Sequence, residues 1–284
     1  MKGAFVPIDL DTPAVTQETS AKRVNAAKQE DPAKHEATVK QLYQDEKVAE
    51  NYIANRFTWA WSRLLHERQI AVLNALLRNS RLSSALELAP GPARIAPDLV
   101  GLRSGLMVEA SPQMIEVATR RIVEHHLEKV WEIQKGNAFD LTSLSRTFDL
   151  AFTFRFIRHF EAEERKRLYS EIHRRLNPSG LLVFDVVNKP VRRKLDARAK
   201  PHSGEALPVY DITYTRDELT AEMNAAGFEV VALYEVIRHF TLQAWLSYRV
   251  GHRLPGLAWP LVKALELLPT SNPLEWVAIC RKLG

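Results

Sequence analysis

Residues 86–94 read LELAPGPAR, an apolar run that ends in a turn with one glycine and two prolines. A nucleotide-type ligand needs a tight turn between a strand and a helix, because the backbone must approach it closely and a helix N-terminus must face it. The turn does not match the G-x-G-x-x-G pattern of dinucleotide-binding sites. On its own it fits a ligand-binding turn and an ordinary strand-to-helix loop equally well.

Short apolar runs alternate with amphipathic stretches from residue 85 onward. This alternation predicts an α/β fold, a parallel sheet with helices on both faces. The strands are predicted at 85–88, 105–109, 131–134, 148–152, 181–185, 228–237 and 274–280, with helices at 112–127, 161–176 and 216–226.

The rest of the chain is organised around this α/β domain, predicted at 81–284. Residues 1–38 contain few large apolar side chains and three prolines, which predicts a flexible arm. Residues 39–80 repeat apolar side chains at helical spacing and are predicted as N-terminal helices. Insertions at 189–210 and 241–269 interrupt the main domain and are predicted to form a substrate cap.

Composition excludes several classes of protein. The single cysteine, Cys280, rules out an internal disulfide framework and a cysteine-rich zinc site, and no metal site is predicted. Low cysteine use and the lack of a signal-like or membrane-length apolar run favour the cytoplasm. The net charge of +5 is mild and favours an acidic ligand or an anionic surface only weakly.

The second predicted strand ends in an acid, Glu109, about twenty residues after the turn, as in Rossmann-like sites. A carboxylate there can accept hydrogen bonds from both ribose hydroxyls, although strand-end carboxylates are often only solvated. Ser111 and Pro112 are typical of a helix start. Met114 follows on the apolar face, where methionine is more often core than ligand contact.

Together these segments resemble the ordered motifs of class I S-adenosylmethionine (SAM)-dependent methyltransferases. LELAPGPAR resembles their first motif, and VEASPQM at 108–114 resembles the second. Three further matches are GNAFDL at 136–141, FDLAF at 148–152 and LNPSGLL at 176–182. The resemblance covers roughly residues 80–188 and the final hairpin, and the order of the motifs makes it specific.

The resemblance implies a doubly wound, mostly parallel seven-stranded Rossmann-like sheet with an antiparallel last strand. It also implies SAM as cofactor. The implied cofactor-binding residues are Tyr52, Arg56, Glu87, Ala89, Gly91, Glu109, Ala110, Met114, Asn137, Ala138, Phe154 and Arg155. Tyr52 and Arg56 share one helical face, where arginine suits the methionine carboxylate. A surface arginine beside a core tyrosine is the alternative interpretation of that pair.

Two departures from the family pattern affect the cofactor site. Ala89 and Ala93 replace the outer glycines of the first motif. Because alanine tolerates positive φ poorly, the turn is expected to keep ordinary φ and ψ angles. Asn137 replaces the usual aspartate that faces adenine, and its carbonyl oxygen can still accept from the exocyclic amine.

The acceptor is expected beyond the fourth strand, where His159 follows. His159 could act as a general base, since its unperturbed pKa is near neutral. We favour the alternative that it packs or caps the next helix. The basic run 189–200 suits either an acidic acceptor or a solvated lid helix. The aromatic segment 241–269 suits an apolar acceptor, an interfacial contact, or a helix pair packed on the domain.

The predicted function is methyl transfer from SAM to oxygen or nitrogen of a small, largely apolar metabolite. Alternatives are an RNA or tRNA methyltransferase and a non-catalytic SAM-binding protein. Nucleic acid is not favoured, because no Asn/Asp-Pro-Pro-Tyr/Phe motif follows the fourth strand and Cys280 lies in the last one. Peripheral membrane contact is compatible with the apolar insertion, and the sequence leaves the oligomeric state open.

Overall fold

The computed structural model describes residues 59–80, 82–197, 211–270 and 272–284. The predicted arm, Tyr52, Arg56 and the predicted helical region before residue 59 lie outside the described residues. Within them, the last of the predicted N-terminal helices is present as α1, Ala60–Asn79.

Strands and helices then alternate as the apolar pattern predicts. The strands are β1 Ser84–Leu88, β2 Ser104–Glu109, β3 Trp131–Lys135, β4 Phe148–Thr153, β5 Leu176–Asn188, β6 Thr213–Tyr214, β7 Phe228–Val236 and β8 Glu275–Lys282. The helices after α1 are α2 Pro112–Glu124, α3 Ala162–Arg175, α4 Lys189–Asp196, α5 Arg216–Ala225, α6 Phe240–Arg249 and α7 Pro255–Leu265. Short 3-10 turns lie at Ala96–Asp98 and Ile157–His159.

The strands form one sheet in the order β3-β2-β1-β4-β5-β8-β7. Strands β1 to β5 are parallel, and β8 runs antiparallel to both β5 and β7. This confirms the doubly wound α/β sheet with an antiparallel last strand. The two-residue strand β6, which pairs with β5, was not predicted, because it carries no apolar run.

Both faces of the sheet are covered at its centre, which explains why the central strands contain long apolar runs, unlike the edge strands β3 and β7. Leu86 and Leu88 of β1 pack on the face covered by α3 and α5. Ala85, which precedes Leu86 and points the other way in the strand's alternation, packs on the opposite face with α1 and α2. Helix α2 begins as predicted, with the Ser111 hydroxyl accepting from Met114 N at 3.3 Å and Pro112 in the first turn.

The segment 241–269 forms most of a helix pair, α6 and α7, which packs against α1. The Trp61 ring meets Phe240 edge-on at 5.6 Å, and Trp61 N donates to Ser247 Oγ at 3.2 Å. Within the described residues, no helix is long and apolar enough to cross a bilayer. The contacts of Trp61 show the helix pair packed on the domain, which was one of the interpretations of this segment. No residue of 241–269 lines the cavity described below.

Candidate cofactor and acceptor site

A cavity of about 990 Å³, open mouth included, lies beyond the carboxyl ends of β1, β2 and β4. This edge of an open parallel sheet is where ligands bind. The lining residues are Glu87, Ala89, Pro90, Gly91, Arg94, Val108, Glu109, Ala110, Ser111, Met114, Gly136, Asn137, Ala138, Phe139, Phe154, Arg155, Phe156, His159 and Phe160.

Glu109 ties the two sides of the cavity together. Its Oε2 accepts from Gly91 N at 3.0 Å, and its Oε1 accepts from Ala110 N and Ser111 N at 2.8 and 2.9 Å. Burial raises the pKa of Glu109, and the three backbone N–H groups oppose that rise. The carboxylate is thus fixed by backbone at the place where the sequence predicted a ribose contact.

The turn of the first motif differs from the prediction in its backbone angles. Ala89 and Ala93 have φ of 49° and 51°, close to the 57° of Gly91. The prediction of ordinary φ and ψ angles was therefore wrong. Hydrogen bonds override the preference of alanine, because Ala89 N donates to Val108 O at 3.0 Å and Glu109 holds Gly91.

Glu87 is buried in the cavity wall with one oxygen, Oε2, that has no hydrogen-bond partner within the described residues. Burial raises its pKa to about 8; Arg94 opposes the rise and Glu109 adds to it. An unpartnered buried carboxyl is costly unless a donor or a cation meets it. The site therefore fits a ligand that brings positive charge, as SAM does.

Arg94 closes the cavity from the side of α1. Its guanidinium donates to His66 Nδ1 at 2.8 Å and to Gln69 Oε1 at 2.7 Å. Burial and the charges of Arg94 and Arg121 lower the pKa of His66 to about 4, so His66 stays neutral and can accept. The sequence prediction omitted Arg94, although it ends the quoted first motif.

Asn137 lies in the loop after β3, as the third motif requires. Its Oδ1 accepts from Phe139 N at 3.1 Å, which orients the amide. A carbonyl oxygen has two lone pairs, so the predicted adenine contact is compatible with this bond. Beside it, Phe139 meets Phe160 edge-on at 4.8 Å, and Phe160 meets Phe156 at 4.9 Å.

His159 also lines the cavity and is buried. Its Nδ1 lies 3.3 Å from Asp211 Oδ1, and Asp211 also pairs with Arg158 Nε at 2.9 Å. Arg158 in turn pairs through Nη1 with Asp185 at 2.9 Å and Glu275 at 3.1 Å. This ion cluster joins the 3-10 turn to β5 and β8, and no pattern in the sequence predicted it.

The predicted site residues that fall in the described part of the chain all line this one cavity. They are Glu87, Ala89, Gly91, Glu109, Ala110, Met114, Asn137, Ala138, Phe154, Arg155 and His159. No cluster of potential metal ligands occurs among the described residues. Phe139, Phe156 and Phe160 also line the cavity but were not among the predicted site residues, although the segment 153–160 was expected to border the cofactor.

Comparisons with known proteins agree with this geometry. Residues 85–180 match a family model described as a methyltransferase domain. No curated protein matches the chain. The chain is similar in structure to DhpI in complex with SAH, with 18% identity, a TM-score of 0.57, and coverage of 87% of this chain and 96% of that one.

Two further solved structures share the fold. The [4+2]-cyclase SpnF gives 18% identity and a TM-score of 0.58, with 87% of this chain and 96% of that chain covered. Magnesium protoporphyrin IX methyltransferase (ChlM) from Synechocystis PCC 6803 with bound SAM gives 9% identity and a TM-score of 0.56, with 87% and 97% covered. At these identities the likeness concerns the fold.

Proposed function

We propose that this chain, of which residues 85–180 match a methyltransferase domain, transfers the methyl group of SAM to oxygen or nitrogen of a small, largely apolar acceptor. One observation carries the proposal. The buried carboxyls Glu87 and Glu109 line one part of the cavity, and phenylalanines with His159 line another. A polar cofactor and an apolar acceptor can therefore share it.

The residues at the polar end are suited to hold SAM. Glu109 would accept from the ribose hydroxyls, Asn137 from the adenine amine, and the buried Glu87 would face positive charge on the ligand. Tyr52 and Arg56, by the family resemblance, would close over the methionine end. SAM, when bound, supplies an electrophilic methyl group, and the protein supplies position and a dry environment for it.

The apolar end is suited to position the acceptor. Phe156 and Phe160 present aromatic surface there, which favours a flat or bulky acceptor over a strongly polar one. Methyl transfer needs the acceptor atom in line with the sulfur–methyl bond, and that alignment can supply much of the rate. We propose that His159 orients this wall through Asp211 and is not the base.

A second candidate function is SAM binding without methyl transfer. Two observations favour keeping it: alanines replace the outer glycines of the first motif, and one structural relative is a [4+2]-cyclase. Both candidates require SAM or SAH binding. Only the first requires the methyl group to leave the cofactor.

Calorimetry with SAH tests the cofactor half of the proposal. A charge-assisted hydrogen bond contributes roughly 1.5–3 kcal/mol, so Glu109→Ala should weaken binding by about ten- to a hundredfold. Glu132→Ala, an exposed acid on the neighbouring strand β3, is the matched control and should bind as the wild type does. Unchanged affinity in Glu109→Ala would remove Glu109 from the site.

Incubation with methyl-labelled SAM and fractionated extract tests the transfer half. The expected result is label in a small organic-soluble product, formed by the wild type and lost in Glu109→Ala at limiting SAM. SAH binding with no labelled product from any fraction would favour the second candidate. Label recovered in the RNA fraction would instead support an RNA methyltransferase.

A further inference from the structure

The helix pair α6–α7, residues 240–265, presents an unusual division of side chains, and we call it the apolar hairpin. Its buried side is made mainly of small or polar residues: Phe240, Gln243, Ala244, Ser247, Ala258 and Val262. Six of its large apolar residues are exposed by 44–55%, whereas Leu246, Trp259 and Leu265 are half-buried; the six are Leu242, Trp245, Tyr248, Leu254, Leu257 and Leu261. A helix packed only for stability shows the opposite arrangement.

The charges of the apolar hairpin are all of one sign. Residues 240–265 contain no aspartate or glutamate. Arg249, Arg253 and Lys263 are all exposed on it, together with His252. The nearest acid that pairs with any of them is Glu67 of α1, 3.1 Å from the Lys263 ammonium. The hairpin therefore combines exposed apolar surface with local positive charge.

We propose that the apolar hairpin is a docking surface for an anionic lipid bilayer. Leucines and aromatic rings that enter the acyl boundary, with cations at the headgroup level, are typical of helices lying in the plane of a membrane. Each helix is far too short to span a bilayer. Exposed apolar side chains grouped on one helix pair mark an interaction site, and the neighbouring cations select a negatively charged partner.

The hairpin is firmly attached to the domain. Trp61 contacts Phe240 and Ser247, and the Arg63 guanidinium lies 4.4 Å above the Trp259 ring. At the bend, a Cβ on Gly251 would lie 2.1 Å from Ser247 O, so the two helices turn in a space that only glycine fits. Docking would thus orient the whole domain.

Helix α1 continues from this attachment to the cavity. The same helix that carries Trp61 and Arg63 also carries His66 and Gln69, which hold Arg94 in the cavity wall. A bilayer bound at the hairpin would therefore lie one helix away from the site. This arrangement suits an acceptor that partitions into lipid, although the docking proposal stands independently of the proposed methyl transfer.

Vesicle co-sedimentation with the full chain tests the proposal. Wild type should bind phosphatidylcholine vesicles that contain phosphatidylglycerol, bind pure phosphatidylcholine vesicles much more weakly, and lose binding as salt is raised. The variant Leu242→Ser/Trp245→Ser/Leu257→Ser should lose at least tenfold in partitioning. The variant Arg249→Gln/Arg253→Gln should lose roughly tenfold or more and much of the preference for anionic vesicles.

A matched control removes exposed apolar residues from another surface. Val100→Ser/Val123→Ser changes side chains exposed by 64% and 50% outside the hairpin and should sediment as the wild type does. SAH affinity should be unchanged in every variant, because none of these residues lines the cavity. That control separates failure of docking from failure of the proposed function.

Two outcomes would overturn the proposal. In the first, the wild type fails to sediment with anionic vesicles, or the hairpin variants and the control bind equally well. In the second, sedimentation velocity shows a wild-type dimer that Leu242→Ser/Trp245→Ser/Leu257→Ser dissociates, with no vesicle binding by either protein. The second result would assign the surface to another copy of this chain.

Discussion

At the scale of single residues, the protonation of Glu87 makes SAM binding depend on pH. Burial raises the pKa of this carboxyl to about 8; the charge of Arg94 lowers the pKa and that of Glu109 raises it further. The carboxyl is therefore mostly protonated at neutral pH in the ligand-free protein. A cationic ligand favours the carboxylate. Binding at pH 7 should therefore release up to about one proton. Calorimetry in two buffers of different ionisation enthalpy measures that release, and Glu87→Gln should abolish it.

The same shift fixes the sign of a stability effect. The unfolded pKa is near 4.5 and the folded pKa is higher, so the stability contributed by Glu87 is full below 4.5 and falls as pH rises towards 8. Glu87→Gln should flatten that part of the stability curve. The exposed control Glu132→Gln should leave both the curve and the proton release unchanged. Equal proton release from Glu87→Gln and wild type would contradict the assignment.

The positive φ of Ala89 predicts a gain of stability on substitution by glycine. A residue with a side chain destabilises the folded protein by about 1–2 kcal/mol when its φ is positive, and glycine avoids that strain. Glycine also gives the unfolded chain more freedom, which lowers the free energy of unfolding by about 0.4–1 kcal/mol. Ala89→Gly should therefore raise the free energy of unfolding by about 0.5 kcal/mol in urea denaturation. Ala264→Gly, in the exposed part of α7, should lower it by about 1 kcal/mol. A loss of similar size in both variants would contradict the strain argument.

His159 decides whether the acceptor is activated by a base or only positioned. His159→Asn keeps a donor where Nδ1 faces Asp211, but it cannot titrate. We expect turnover within about tenfold of wild type and unchanged SAH affinity, measured with the acceptor from the extract screen. A loss of a hundredfold or more, with loss of the acidic limb of the pH profile, would make His159 the general base.

At the scale of elements, the ion cluster around Arg158 holds the 3-10 turn that carries His159 against the sheet. Arg158 meets Asp185 of β5, Glu275 of β8 and Asp211, and their charges outweigh burial and raise its pKa further above its usual value. Arg158→Leu would leave buried carboxylates without their cation. We expect a loss of about 3–5 kcal/mol in unfolding free energy.

An exposed arginine provides the comparison for Arg158→Leu. Arg146→Leu removes a surface pair with Glu132 at 2.9 Å and should cost less than about 1 kcal/mol. A similar small loss from Arg158→Leu would show that the cluster does not hold the 3-10 turn. In that case the orientation of His159 would have to come from packing alone.

The elements also show what sequence patterns could and could not predict. Strands β1, β2, β4 and β5 were predicted because each contains a largely apolar run that is buried on both faces, and β3 was predicted from its alternating Trp131 and Ile133. Strand β6 was not predicted, since two residues are too few to show a periodic pattern. The ion cluster was not predicted, because positions 158, 185, 211 and 275 come together only when β8 lies between β5 and β7. For segment 241–269 the sequence showed an excess of aromatic residues but not which side was buried.

At the scale of the whole molecule, the two ends of the cavity differed in how far sequence could define them. The cofactor end is built from short contiguous segments, and each carries its own motif, such as residues 86–94 and 108–114. The proposed acceptor end combines side chains from the loops after β3 and β4, whose roles depend on the complete fold. Even within the first motif, the setting of Arg94 depends on the fold, because its partners on α1 lie about twenty-five residues earlier in the chain.

The predicted division of the chain into arm, N-terminal helices and main domain leads to the last prediction. Residues 1–38 contain few large apolar side chains, so deleting residues 2–38 should leave SAH affinity unchanged. Arg56→Ala should instead weaken SAH binding by about ten- to a hundredfold, because arginine forms strong paired hydrogen bonds with a carboxylate. Arg78→Ala, at the exposed end of α1, is the control. Methylthioadenosine lacks the amino-acid end of SAH, so Arg56→Ala should bind it as wild type does. If the deletion weakens SAH binding as much as Arg56→Ala, the arm belongs to the site; if Arg56→Ala weakens both ligands equally, Arg56 acts on the fold and not on the carboxylate.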